Sequence, residues 1–416
     1  MSGTGDPPVL RRVGDEPVLR RLRDDELPAF LRAFRAALGG VPDEADEAAA
    51  GANIEVARSH VAVAGDALVG TASAFSLTMP LPGGREVGCA GVSLVSVRGD
   101  HRRRGLLRGL LGRVVDDARD RGEAVAALWA TETPIYDRFG FAPAIPTVEL
   151  RLDRTHASLR RDGPWREVRL VDRAEARRAF PAIRDRARVS RPGMLSRTGG
   201  SWDRLLRDEP QPPAGKGPRQ HALLPDRGYA VYRLEPSWTD GAPTGTVVVQ
   251  ELHALDPEAT AALWRFVTDV DLAAATVAGR RPVDDPVLAL LGDQGRARVS
   301  QDWSLQVRVL DLPAVLASRS AATDDHLVLE VTDPLVAGNQ GRWEVAGAHG
   351  LLRCASTERP ADLHLDIREV AAVLLGGQRT TQLLAAGLVQ EGRRGAAARL
   401  DRLLQVDVAP WHDYMF

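Results

Sequence analysis

At 416 residues the chain is too long for one ordinary hydrophobic core, so two or three domains are expected. Its 44% hydrophobic and 26% charged residues have the balance of a soluble globular protein, and a formal net charge of −2 lacks the basic excess of a nucleic-acid-binding domain. Two cysteines, Cys89 and Cys354, are too few for a disulfide framework or a thiolate zinc site and read as buried apolar residues in a reducing compartment.

The opening repeats PVLRR at 8–12 and 17–21 and reads as a flexible Pro/Gly-rich leader over residues 1–17. It lacks a hydrophobic signal core, and no run approaches the roughly 18 apolar residues of a membrane span, so a cytoplasmic protein is expected. Order is expected from Val18, as a short strand, then a helix capped by Asp24 or Asp25 with Leu27, Phe30, Leu31, Phe34 and Leu38 on one face. Strands over 54–63 and 68–78 follow, joined by the turn AGDA, and a third strand, GVSLVSV, spans 91–97. Apolar residues from Leu106 to Ala118 keep helical spacing up to Gly122. A strand over 123–130 then leads to TETPIYDRFGF, where Thr133 can cap a short helix that Pro134 starts.

Mixed strands and helices in this order give a first α+β domain over 18–150. A second unit, 151–295, carries a helix at 172–188, strands at 228–234 and 245–252, a helix opened by Asp256-Pro257, and a strand at 273–278. It echoes the first without an Arg/Gly-rich loop, and DEPQPPAGKGPRQ at 208–220 reads as a mobile loop within it. A third unit, 296–416, opens with the alternating strand WSLQVRVLDL and a helix near Asp311-Leu312-Pro313. Strands at 326–332, 342–346, 351–356 and 363–367 and helices at 368–375 and 379–387 follow. Free tails are polar, whereas the last residues, VDVAPWHDYMF, are apolar, so Trp411, Tyr414, Met415 and Phe416 are expected to pack.

The chemistry-bearing stretch is RGDHRRRGLLRGLL at 98–111, with five arginines and three glycines between a strand and a helix. The first amides of a helix lack internal partners and sit at the positive end of its dipole, which makes a compact anion site. Gly105 lets backbone approach a ligand, and Arg102, Arg103, Arg104 and Arg108 can add charge-assisted bonds to phosphate oxygens. A pyrophosphate fits this better than a duplex; on these residues alone, an arginine-rich turn that is merely solvated is the alternative.

Together with the segment through Phe141, this stretch resembles the GCN5-related N-acetyltransferases, whose third core strand, Arg/Gln-x-x-Gly-x-Gly/Ala turn and helix bind acetyl-CoA. The chain has Arg102-Arg103-Arg104-Gly105-Leu106-Leu107, with Leu107 where that family usually has Gly or Ala. The later Tyr136-Asp137-Arg138-Phe139-Gly140-Phe141 matches the family's tyrosine helix and Gly-Phe pair. HRRRGLLR followed by VAALWATETPIYDRFGF is similar to the Eis-type (enhanced intracellular survival) subfamily over nearly the whole chain. That resemblance implies two acetyltransferase-like domains, the second degenerate, then a sterol-carrier-protein-like α/β domain whose C-terminus reaches the active site. By position it implies acetyl-CoA contacts at Val95, Ser96 and Val97, at Arg103, Arg104, Gly105, Leu106, Leu107 and Arg108, and at Thr131 and Glu132. It also implies a homohexamer and primary-amine substrates, aminoglycosides among them.

Acetyl transfer from a thioester needs an acid for the departing thiolate and a base for the ammonium. No Ser/His/Asp or Cys/His arrangement is evident, so direct attack by the amine is expected rather than an acyl-enzyme. Tyr136, one of four tyrosines, is the candidate acid, and its phenol is nearly matched to a thiol in pKa. The resemblance makes the α-carboxylate of Phe416 the candidate base, weak in water but strengthened by burial; on the residues alone, a C-terminus docked for stability is the preferred reading. Ser93, Leu94, Trp129 and Phe34, with Phe30 nearby, are read as lining the amine pocket, although Trp129 fits an ordinary core equally well. His364, His412 and Asp413 show no helical ligand pairing, so no metal is expected. A lipid or sterol carrier and a non-catalytic acetyl-CoA sensor are the competing readings.

Overall fold

A computed structural model describes residues 16–40, 51, 53–161, 163–207 and 214–416. The leader as far as residue 15 and the Pro-rich part of the expected loop, 208–213, lie outside the described residues. Two compact units divide the chain, one built from the residues up to Phe75 with Val92–Asp117, the other from Ser76–Gly91 with Ala118–Phe416.

In the first unit, β1 (Val18–Arg21) pairs antiparallel with β2 (Ser59–Ala64), and β2 with the early part of β3 (Ala67–Pro80). The helix Leu27–Ala37 buries Phe30 and Leu31 against Leu22 and Val61, as its apolar face dictates. Neither Asp24 nor Asp25 caps it: Asp24–Glu26 form a 3-10 turn in which Glu26 accepts from the Arg23 amide at 3.1 Å and from the Arg20 guanidinium, and no side chain caps the helix. The strand expected from residue 54 starts at Ser59, because Val56–Arg58 coil into a 3-10 turn that buries Arg58 near Asp117. The helix Leu106–Asp120 buries Leu106, Leu110, Leu111, Val114 and Val115. β4 (Glu86–Val97) starts five residues before the expected strand; it and β3 each run from one unit into the other.

The second unit adds β5 (Val125–Leu128), β6 (Ala142–Asp153), β7 (Arg169–Val171), β8 (Gln220–Leu224), β9 (Gly228–Glu235), β10 (Trp238–Thr239), β11 (Ala242–Pro243), β12 (Gly245–Ala254), β13 (Ala273–Arg281) and β14 (Arg298–Val309). Leaving out the small β10–β11 hairpin, these lie side by side in the order β5-β14-β6-β13-β12-β9-β8-β7. The helices Arg173–Arg188 and Pro257–Thr268 pack on them, and Trp264 is the largest side chain of the core beneath the second helix.

β14 corrects the reading that places the third unit's start at 296. It lies between β5 and β6, Val309 opposite Val125 and Val307 opposite Ala142, so it belongs to the sheet of the preceding strands. Its alternation predicts one wet face, yet Ser304–Val309 are all buried. Arg308 tolerates this because Asp333 neutralises it at 2.7 Å, both side chains being fully buried.

The remaining chain forms a separate sheet ordered β17 (Leu351–Ser356), β16 (Gly341–Ala348), β15 (His326–Thr332), β18 (Leu363–Asp366) and β19 (Gln390–Glu391). Helices Leu312–Ala317, Ile367–Leu374, Thr380–Ala385 and the unanticipated Ala396–Leu403 accompany it. Cys89 is buried as expected, but Cys354 is only half-buried on β17, so it is not a core residue. Among the described residues no helix is long and apolar enough to cross a membrane.

Candidate active site

In the first unit β4 bends at Leu94, which adopts a left-handed backbone at φ 53°. Such a conformation costs a branched residue about 1–3 kcal/mol. The Thr71 hydroxyl offsets part of this by donating to the Leu94 carbonyl at 2.7 Å. With that proton committed, the Ser96 hydroxyl, 2.7 Å away, donates to Thr71. The bend breaks the strand's alternation: Ser93, Val95 and Val97 are half-buried, while Ser96 is buried. Leu94 packs toward the core around Leu22, Phe30 and Val61, and Phe30 is wholly inside that core. Phe30 therefore fills the domain interior rather than lining an amine pocket, whereas Leu94, like Ser93 and Phe34, is half-buried.

The turn after β4 divides its charges into two groups. Arg98 makes a two-pronged contact with Asp100 at 2.7 and 3.0 Å, and His101 joins it at 2.8 Å. Arg104 donates to the Asp100 carbonyl at 3.1 Å. The exposed Arg102, Arg103 and Arg108 have no ion pair or hydrogen bond among the described residues. Arg103 and Gly105 take φ of 62° and 79°, so the backbone curls tightly into the helix. Nothing crowds Gly105; its conformation is what calls for glycine. The Gly109 amide makes the first helical bond, to the Gly105 carbonyl at 3.0 Å, and the amides of Leu106, Leu107 and Arg108 precede it. Three guanidiniums without a partner and three helix-start amides within one turn offer the charge and donors that a polyphosphate can accept.

In the second unit the strand expected at 123–130 contracts to Val125–Leu128, and Thr131 and Glu132 are exposed beyond it. Thr133 already has helical backbone and makes no side-chain cap, so Pro134 alone starts the helix Pro134–Asp137. Tyr136 is buried on that helix, its ring edge-to-face with Phe141 at 6.1 Å. Burial, reinforced by nearby Glu132, raises its phenol pKa above 10. Its hydroxyl has no hydrogen-bond partner among the described residues.

The C-terminal segment docks in the same unit. Trp411, His412, Asp413 and Tyr414 are buried and Phe416 is half-buried, whereas Met415, expected to pack, is 52% exposed. The Met415 side chain faces out while its carbonyl accepts from Arg204 at 2.6 Å. Trp129 donates its indole N–H to the Tyr414 carbonyl at 2.9 Å, so its polar edge holds the tail. The Phe416 ring lies against Gly91 of β4, where an added Cβ would stand 3.1 Å from it. Phe416 also packs against the His412 and Tyr414 rings.

Beneath the tail lies a group of buried charges that the sequence reading missed. Arg184 grips the Asp413 carboxylate at 2.6 and 2.8 Å, and Arg197 pairs with Glu251 at 2.8 and 3.1 Å while reaching Asp413 at 3.2 Å. His253 stands 3.0 Å from Asp413, and Tyr229 donates to Glu251. Burial alone would push Asp413 upward, but the two guanidiniums outweigh it and hold its pKa well below the usual carboxylate range. Glu251, His253 and Asp413 converge closely enough to be metal ligands, a juxtaposition invisible in their spacing. The two arginines already supply the countercharge.

The bent strand leading into an arginine turn and a helix in one unit, and the tyrosine helix in the other, are each features of the GCN5-related acetyltransferases, an enzyme class whose co-substrate is acetyl-CoA. The family descriptions agree: GNAT acetyltransferase domains match residues 18–144 and 193–309, and a sterol carrier protein domain matches 312–413. The chain is 37% identical over 388 residues to an uncharacterized N-acetyltransferase of Streptomyces avermitilis, covering 91% of this chain and 95% of the relative. It is 35% identical over 351 residues to N-acetyltransferase Eis of Mycobacterium tuberculosis, covering 83% and 85% respectively. The crystal structure of Eis1 from Mycobacterium abscessus superposes with a TM-score of 0.86 at 30% identity, covering 96% of this chain and all of that one. The chain belongs to the Eis-type GCN5-related N-acetyltransferases.

Proposed function

We propose that the enzyme acetylates primary amines of polyamino substrates, aminoglycosides among them, by direct attack on acetyl-CoA. Acetyl-CoA supplies the activated acetyl group. Arg102, Arg103 and Arg108 and the amides of Leu106–Arg108 hold its pyrophosphate, and the backbone of Val95–Val97 holds its pantetheine arm. Tyr136 protonates the departing thiolate. Its pKa, raised above 10 by burial, keeps that proton in place at neutral pH. The Phe416 α-carboxylate, directly or through one water, takes the proton released by the ammonium.

The observation that carries the reading is the docked C-terminus: an apolar tail, buried from Trp411 to Tyr414, ends on a Phe416 ring seated against β4. Exposed Glu132 adds negative charge near Tyr136, which suits a cationic acceptor. The apolar cavity among Leu316, Leu329, Val370 and Leu404 is about 10 Å³, which has no room for an acyl chain.

The test is release of CoA thiol from acetyl-CoA by the native-terminus protein with aminoglycosides, diamines and lysine peptides. Release with a multi-amine aminoglycoside and several acetyl groups per product molecule are expected. Release only with lysine peptides would overturn the substrate assignment. Hexameric assembly, carried by family resemblance alone, is tested by light scattering.

A further inference from the structure

In the second acetyltransferase-like domain, β12 and β13 pair in parallel from Gly245 opposite Ala273 to Val249 opposite Ala278, and there the pairing stops. Beyond it β12 continues with β9 through Ala254, and β13 continues with β6 at Arg281 opposite Val148. The two strands thus part, Arg280 taking a left-handed φ of 52° where β13 turns away. The opening precedes a turn and the helix Pro257–Thr268, the same strand-turn-helix order as the arginine turn of the first domain.

Here the helix start is closed to phosphate. Asp256 caps the Ala259 amide at 2.8 Å, and Arg227 is spent on Asp256 and Glu258. The opening itself holds the chain's own tail. The Trp411 indole donates to the Arg280 carbonyl at 2.6 Å, Arg280 donates to the Asp413 carbonyl at 3.2 Å, and the Trp411 amide donates to the Pro192 carbonyl at 2.9 Å. Asp413 reaches His253 of β12 and the buried Arg184 and Arg197, and the Tyr414 hydroxyl donates to the Ser196 carbonyl at 2.5 Å.

We propose that the second acetyltransferase-like domain is a binding site for the C-terminal segment Trp411–Tyr414, its opening recognising a peptide through one internal carboxylate, Asp413, and a preceding tryptophan. It exchanges cofactor binding for tail binding. Arg184, Arg197 and His253 are positioning residues: they touch no substrate but fix Asp413, three residues from the carboxylate that serves as base. This last clause rests on the function proposed above. Two carboxylates and two guanidiniums out of water are costly to desolvate, and apolar packing would stabilise a merely structural tail as well. What the charges add is one register for the tail, since a slip of one residue leaves Arg184 without its carboxylate and Arg197 with Glu251 alone.

The test compares the full-length protein with Asp413→Asn and Asp413→Glu. Carboxypeptidase release of Phe416, followed by mass, reads docking without reference to catalysis. Asp413→Asn is expected to speed release about tenfold or more and to lower kcat about 100-fold, with KM for acetyl-CoA within about twofold of wild type. Asp413→Glu, keeping the charge, is expected to restore slow release in part. Release from Asp413→Asn at the wild-type rate overturns the proposal. Fast release with undiminished kcat leaves docking standing and removes both the positioning role and the terminal base. Should Asp413→Asn fail to fold, amide exchange in the wild-type chain decides. Trp411–Tyr414 are expected to exchange as slowly as β12, and exchange at loop rates overturns the proposal.

Discussion

Replacing Tyr136 with phenylalanine separates chemistry from structure unusually well. The hydroxyl has no hydrogen-bond partner among the described residues, and the ring contact with Phe141 survives the change. Deleting an unpartnered hydroxyl leaves no orphaned donor or acceptor behind, so stability should change by less than about 1 kcal/mol. Acetyl-CoA binding should likewise hold. Loss of a positioned acid costs about 10²-fold or more in kcat, equivalent to roughly 3 kcal/mol of barrier. Wild-type kcat should remain on plateau to about pH 10 and fall only above it, because burial and Glu132 raise the phenol pKa and the acid form is the active one. The variant should lack that alkaline limb. Steady-state thiol release across pH 6–11 measures both effects. A Tyr136→Phe enzyme with at least about a third of wild-type kcat would refute the acid assignment.

The arginine turn gives a second expectation. Arg102→Ala combined with Arg103→Ala should raise KM for acetyl-CoA about tenfold or more and weaken its salt dependence, with kcat little changed; an unaltered KM would return these arginines to a solvated surface. Acid stability gives a third. Burial pushes His60 down to about 4, against about 6.5 unfolded, so it stays neutral in the fold while the unfolded chain takes up a proton. The stability it confers is complete above about pH 6.5 and is lost as pH falls toward 4, with a slope of about 1.4 kcal/mol per pH unit. Urea unfolding of wild type and His60→Gln between pH 4.5 and 7 should show the variant's slope smaller by that amount; equal slopes would place His60 in water.

The first domain was legible because its information is local. Strand, arginine turn, helix and tyrosine helix come one after another, and each carries its own periodicity or charge signature. What escaped was long-range. β14 looks like the opening of a new domain because alternation predicts one buried face, and only pairing with β5 and β6 buries both. The charged cluster under the tail joins Arg184, Arg197, Glu251, His253 and Asp413, residues with no shared spacing. The His412-Asp413 pair set among Trp411, Tyr414 and Phe416 was its one sequence signal. The bend at Leu94 was hidden for a different reason: a left-handed backbone within a strand leaves no mark on the alternation of the sequence.

The central claim is that the docked terminus supplies the base, and a single glycine appended after Phe416 tests it most directly. The tail's anchors from Trp411 to Tyr414 are untouched by that addition, while the terminal carboxylate moves by about 3.5 Å and an amide takes its place. The measurement is kcat of thiol release with a saturating polyamine acceptor, alongside acetyl-CoA affinity and melting temperature. The account predicts a fall in kcat of about 100-fold with affinity and melting temperature unchanged. Full turnover by the extended chain would contradict it, leaving the C-terminus as a structural clasp and the base to be sought elsewhere.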